Sequence, residues 1–159
     1  MEENGVKVII LDYLQMMGLN KYRNSRDLEV GYITRELKNI ARDNNVCVII
    51  SSQLSRAVET RGGDKRPQLS DLAESGAIEQ NADKVIFLYR SEYYGFDRDR
   101  DNIPVAGVAE LIIAKNRIGR SGVVKLMRDL NFTTFKNFDE RTIEFEFSEI
   151  RLNEIEHPF

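Results

Sequence analysis

Apolar residues fill positions 6–11 almost without a break, with a single Lys7 among Val6, Val8, Ile9, Ile10 and Leu11, and the run closes on Asp12. A short run rich in Val and Ile and bounded by polar residues predicts a strand buried on both faces of a parallel sheet. Residues 16–24 turn polar around Gly18 and read as a loop. Asn24 or Ser25 then caps a helix, with Asp27 and Glu29 in its first turn, where acids suit the helix dipole. Val30, Ile33, Leu37, Ile40 and Ala41 follow the spacing of one buried helical face, and Asn44-Asn45 ends it. Residues 46–50 are apolar again and with Ser51 form a second buried strand, so the chain opens strand–helix–strand, a unit whose crossover is right-handed.

Downstream the helical signal thins. Residues 53–75, with Gly62-Gly63, Pro67 and many charges, read as a mobile loop, and residues 71–80 as a short helix. Strands are expected at 85–89 and 108–114, separated by a solvated loop at 91–104 that holds an Asp-Arg-Asp-Arg-Asp run. A turn at 119–122 leads to a strand at 123–127 and another at 132–135. At 142–147, Ile143, Phe145 and Phe147 alternate with Thr142, Glu144 and Glu146, the pattern of a half-buried edge strand. The prediction is an α/β fold whose mostly parallel sheet ends in antiparallel strands. One strong helix and one short helix serve all these strands, too few to cover a parallel sheet on both faces, so part of the covering layer is expected to come from upstream.

Composition narrows the function. With 42% hydrophobic and 31% charged residues the chain is an ordinary globular one, and no long apolar run or basic-then-apolar leader occurs, so a cytoplasmic location with no membrane partner is expected. The net charge of −3 argues against nucleic-acid binding over the whole surface and leaves room for a local basic loop. Cys47 is the only cysteine, which excludes an internal disulfide or a multi-cysteine zinc site, and its apolar neighbours predict a small buried hydrophobe. His157 is the only histidine and lies near the end, which removes most histidine-based catalysis.

Four constellations remain. Asp12 ends the first buried strand, at the sheet edge where α/β proteins place ligands; an acid there holds Mg²⁺ in a nucleotide-hydrolysing protein, or simply caps a turn. Gln53, in Ser51-Ser52-Gln53-Leu54-Ser55-Arg56, leaves the neighbouring strand as a neutral amide able to reach a γ-phosphate or its attacking water, or as a plain polar strand end. The glycine-containing segment 61–76 offers backbone amides to phosphate oxygens, or is a solvated loop. Lys115-Asn116-Arg117 follows a strand and can present cations to an anion outside the subunit, as an arginine finger does, or can be surface charge.

Ile10-Leu-Asp-Tyr-Leu-Gln15, Ser52-Gln-Leu-Ser-Arg56, Asp64-Lys-Arg-Pro67, Leu69-Ser-Asp-Leu72, Glu74-Ser-Gly-Ala-Ile-Glu-Gln80, Phe87-Leu-Tyr-Arg90, Glu92-Tyr-Tyr94 and Ala109-Glu-Leu-Ile-Ile-Ala-Lys115 occur in this order. Together they resemble the C-terminal RecA-like motor domain of replicative DNA helicases of the DnaB type, over residues 6–135. The resemblance implies a partial RecA-like P-loop NTPase core at residues 1–136, with residues 137–159 as a tail. It implies ATP and Mg²⁺ as cofactors, and nucleotide, single-stranded DNA and a homo-oligomeric, hexameric ring as partners. By the same resemblance Asp12 is the Walker-B acid positioning Mg²⁺, and Gln53 links nucleotide state to the DNA loops. Lys115 and Arg117 are trans-acting finger groups. Glu74 and Gly76 match a channel loop gripping the DNA backbone, and Arg56 is assigned to DNA binding with them.

The chain departs from the family pattern in several places. Ala73 stands where an arginine phosphate contact is usual, Ile118-Gly119-Arg120 where Asn-Gly-Pro is usual, and Asn81-Ala-Asp83 where Asp-Ala-Asp is usual. No Gly-x-x-x-x-Gly-Lys-Ser/Thr occurs, so nothing in these residues cradles the β- and γ-phosphates. The expectation is that Met1 is a truncated start and that the chain alone neither binds ATP tightly nor hydrolyses it. The competing expectation is a non-catalytic helicase paralogue acting as a DNA- or ring-binding module.

Overall fold

Strand β1 is Val8–Leu11 and β2 is Cys47–Ile50, and in the computed structural model they pair in parallel, Val8 with Cys47 through Leu11 with Ile50. The structure describes residues 5–18, 25–72, 76–129 and 134–139. The predicted edge strand at 142–147 lies outside them, as does the first half of the strand expected at 132–135.

Helix α1, Arg26–Asp43, makes the crossover. Ser25 takes the extended cap conformation without a side-chain cap hydrogen bond, which forgoes about 1 kcal/mol. Burial on one face outweighs that loss: Val30, Ile33 and Leu37 join Leu14 in a cluster against Leu11, Val48, Ile50 and Ile78, at about 1.5–3 kcal/mol for each fully buried side chain. At the far end Asn45 adopts a left-handed φ of 50°, which asparagine tolerates, and the backbone turns into β2. Ile40, expected on the buried face, is exposed instead.

The first strands are not buried on both faces as the apolar run suggested. Side chains alternate across a strand, and α1 covers only the face carrying Leu11, Val48 and Ile50. Val8, Ile10, Cys47 and Ile49 point the other way, with Ile10 71% exposed. Cys47 is therefore an exposed thiol and not a buried hydrophobe.

The remaining strands are β3 (Lys84–Tyr89), β4 (Val108–Asn116), β5 (Gly122–Arg128) and β6 (Phe135–Asn137), in the order β3-β4-β5-β6, with β5 and β6 antiparallel. By contacts the chain divides into two units. The first takes the described residues of Met1–Ile86 and Ile113–Ser121, the second those of Phe87–Ile112 and Gly122–Phe159. Short helices α2 (Ala57–Thr60) and α3 (Gly76–Asn81) belong to the first. There Gly31 of α1 permits a close approach, since a Cβ on it would meet the Ala77 Cβ of α3 at 3.1 Å.

In the second unit Val108 and Met127 pack with Ile103 and Phe138. The 91–104 segment, read as a solvated loop, is tied down. Ser91–Tyr94 forms a 3₁₀ turn whose Glu92 accepts from the Arg128 guanidinium and from the Gly107 N–H at 2.8 Å. Asp99 accepts from the N–H groups of Asp101 and Ile103, both at 2.9 Å, and from Lys125 at 2.6 Å. Burial raises the Asp99 pKa, but these donors outweigh it and hold the carboxyl below its usual range. Among the described residues no helix is long and apolar enough to cross a membrane.

Candidate functional site

The exit of the parallel pair gathers the first group of residues, all in the first unit. Leu11 and Ile50 are the last paired positions, so Asp12 and Ser51 leave the sheet side by side. The Ser51 N–H donates to the Leu11 carbonyl at 3.0 Å, and the Leu14 N–H returns a bond to the Ser51 carbonyl at 2.9 Å. The Ser51 hydroxyl donates to Asp12 Oδ1, which orients a carboxylate that stays exposed. Gln15 ties this edge together: its Nε2 donates to Ser52 Oγ at 3.0 Å, and its Oε1 accepts the Gln53 N–H at 3.3 Å. Tyr13, Ser51, Ser52 and Gln53 line an open depression. Arg26, at the start of α1, anchors the segment before it by donating to the carbonyls of Gln15 at 2.7 Å and Met17 at 2.9 Å.

Among the described residues no group of three or more His, Cys, Asp or Glu side chains could enclose a metal ion. Asp12 thus offers one exposed carboxylate beside a serine hydroxyl. That donor set fits Mg²⁺, which binds through one or two carboxylates while phosphate oxygens and water complete its octahedron.

The segment after Gln53, read as a mobile loop from its glycines, proline and charges, is built around a buried acid. Asp71 is 3% exposed. Its carboxylate takes the Arg61 guanidinium on one oxygen and the Gln68 N–H at 2.7 Å on the other, while its carbonyl accepts the Ser55 N–H at 2.8 Å. A buried charge is tolerated only when paired in this way. Leu54 and Leu72 bridge antiparallel, so the two ends of the segment lie together. Arg56 sits exposed immediately before α2, and Gly76 opens α3 with open space where a Cβ would stand. Glu74 lies outside the described residues. The helix expected at 71–80 is thus a 3₁₀ turn at Leu69–Asp71 followed by α3.

The cations form a separate group. Strand β4 runs on to Asn116, so Lys115 belongs to the strand and does not follow it. Lys115 Nζ donates to the Glu79 carbonyl and Arg117 Nη2 to the Gln80 carbonyl at 3.1 Å. Cations suit these carbonyls at the C-terminal end of α3. Arg117 also lies 3.3 Å from Asp83, whose other oxygen takes Lys38 of α1. The hydrogen bond from Lys38 chiefly holds the Asp83 carboxyl below its usual range; burial opposes it, and the charges of Lys38, Arg117 and Lys115 add to it.

Asp12 and Gln53 therefore share one edge, Lys115 and Arg117 share the end of α3, and no hydrogen bond or ion pair among these four joins the two groups. Reading the residues missed Gln15, Lys38, Asp71 and Asp83. Gln15 and Asp71 stood inside motif stretches, and Asp83 was noted only for its neighbours; Lys38 carried no signal, because its partner lies far along the chain.

The sequence profile of a family described as "DnaB-like helicase C terminal domain" matches residues 1–137. A probable replicative DNA helicase of Trieres chinensis is 48% identical over 138 residues, which are 86% of this chain and 30% of that protein. The replicative DNA helicase DnaC of Bacillus subtilis (strain 168) is 47% identical over 141 residues, 88% of this chain and 30% of that protein. The chain thus spans about a third of the length of these relatives. A solved structure described as that of a DnaB-like replicative helicase and its interactions with primase superposes with a TM-score of 0.76 at 41% identity, covering 87% of this chain and 32% of that one.

Proposed function

The chain belongs to the DnaB-like helicase C-terminal domain family, and from that premise we propose that it is the part of a replicative helicase motor that reads nucleotide state, contacts single-stranded DNA and completes a neighbouring subunit's ATP site. One observation carries the reading: Asp12, held by Ser51, and Gln53, held by Gln15, stand at one open sheet edge, while the two finger cations are presented on a different element. A ring motor needs this division, because each nucleotide is served by one subunit's acid and the next subunit's cation.

In this reading ATP binds at the sheet edge, with the phosphate-binding loop supplied outside these residues. Asp12, oriented by Ser51, would hold Mg²⁺, an ion that would supply charge stabilisation for phosphoryl transfer when bound. Gln53 would offer its side-chain amide to the γ-phosphate while its backbone stays fixed by Gln15. Leu54 and Ser55 follow directly and are bonded to Leu72 and Asp71, so a displacement of Gln53 is handed to the segment that leads to Glu74 and Gly76. With Arg56 these would touch the DNA backbone without reading bases. Lys115 and Arg117 act on the neighbouring subunit of a hexameric ring.

The test is a graft in which this chain replaces the matching 141 residues of the B. subtilis helicase. We expect DNA-stimulated ATP hydrolysis and unwinding that Asp12→Ala lowers by about 10³-fold, the several kcal/mol ascribed to a catalytic metal. The chain on its own should show no hydrolysis above background. A graft that forms rings but hydrolyses nothing would favour the non-catalytic paralogue.

A further inference from the structure

The contacts that orient the finger cations end on residues 79–83. The Arg117 N–H donates to the Asp83 carbonyl at 2.9 Å, its Nη2 to the Gln80 carbonyl at 3.1 Å, and its Nη1 lies 3.3 Å from Asp83 Oδ1. Lys115 reaches the Glu79 carbonyl. This seat is itself locked to α1. Asn81 Nδ2 donates to Thr34 Oγ1 at 2.9 Å and to the Gly31 carbonyl at 3.4 Å, Ala77 packs where Gly31 lacks a side chain, and Lys38 binds the second oxygen of Asp83.

We propose that Asp83 is a positioning residue for Arg117: its carboxylate, braced by Lys38, fixes the guanidinium on the end of α3 so that the segment after β4 presents it in one orientation. The inference rests on the reading of Lys115 and Arg117 as groups acting on a neighbouring subunit's nucleotide. Holding Arg117 in this way does not consume it. A guanidinium carries more N–H groups than these contacts use, and half of the Arg117 side chain stays exposed. Nor is the carboxylate needed to hold the fold. Both ion pairs are 35–50% exposed, a setting in which pairs contribute little to stability, and the backbone bond from Arg117 to Asp83 survives any side-chain change. What the carboxylate supplies is orientation, and a misplacement of about 1 Å in a reacting group costs about 10²-fold in rate.

Two measurements test this. In the full chain, the Arg117 Nη resonances should show slowed rotation about Cζ–Nη, and Asp83→Asn should release it; rotation unchanged by Asp83→Asn overturns the inference and leaves the finger reading standing. In the graft, Asp83→Asn should lower kcat by about 10–100-fold with the KM for ATP unchanged, against about 10³-fold or more for Arg117→Ala. The double variant should be no slower than Arg117→Ala alone. An unchanged or raised kcat, or additive losses in the double variant, overturns the inference. If Asp83→Asn fails to fold, Asp83→Glu keeps the charge and moves the carboxylate by one methylene. It should then show a smaller kcat loss at unchanged KM, and no loss overturns the inference. Full activity of Arg117→Ala would remove the finger reading and with it the functional half of this proposal, whatever the resonances show.

Discussion

The sheet edge at Asp12 and the α3 end at Arg117 lie in one compact unit and are built on opposite plans. At the edge, the chain ties down its backbone and leaves the candidate side chains outward: Gln15 holds the Gln53 N–H, while Gln53 lines an open depression and Asp12 stays exposed. At the α3 end the cations themselves are engaged, on carbonyls and on Asp83, before any partner arrives. The difference follows from what each would serve. A carboxylate that binds a metal beside its own subunit's nucleotide needs openness. A long, rotamer-rich cation that must meet an anion on another molecule loses much freedom on doing so, and ordering it in advance lowers that cost.

The largest expected effect tests whether the two regions serve different nucleotides. Grafted subunits carrying Asp12→Ala and grafted subunits carrying Arg117→Ala should each be inactive in homogeneous rings, a loss of about 10³-fold or more. Mixed before assembly, they should regain hydrolysis, because some interfaces then pair an intact acid with an intact cation. Absence of any recovery in verified mixed rings would mean that both regions act on their own subunit's nucleotide. A smaller effect concerns the element that joins Gln53 to the α3 segment. Asp71→Ala leaves Arg61 and the Gln68 N–H without their acceptor, and should destabilise the chain by about 2–3 kcal/mol, less than a fully buried pair because Arg61 can turn to water. The urea midpoint reads this; a change below about 0.5 kcal/mol, as at ordinary surface positions, would show that the segment is not held by its buried acid.

The smallest effect is the acid dependence of the α3 end. Asp83 is held below its ordinary range mainly by Lys38, so its folded value lies below its unfolded value of about 4. Its contribution to stability is then fully present above about pH 4 and is lost as the pH falls through the depressed folded value. Wild-type chain and Asp83→Asn should differ at neutral pH by a small amount and converge in acid. Parallel acid limbs for the two proteins would show that Lys38 and Arg117 do not engage the carboxylate.

Much of the fold was legible in the residues because its signals are local. Val30, Ile33 and Leu37 announced a helical face that the structure buries, and the apolar runs before Asp12 and Ser51 became a parallel pair. Period-two alternation is invisible in a run that is apolar throughout, so the exposure of Val8, Ile10, Cys47 and Ile49 was not. Glycines and charges at 53–75 suggested a mobile loop, whereas Asp71 organises much of it through bonds to backbone groups and to a residue ten positions away.

By itself the amino-acid sequence determined the family and the order of strand, helix and strand, and it supplied the candidate acid, amide and cations, since each depends on residue types in a short ordered stretch. Only the tertiary structure decided which of them share a surface. That Ser51 orients Asp12, that Gln15 fixes Gln53, and that Asp83 and Lys38 seat Arg117 are consequences of contacts 34 to 45 positions apart in the chain. Such contacts arise where a parallel crossover brings two strand ends together and a short helix settles against a glycine, and no local pattern of hydrophobic and polar positions encodes them.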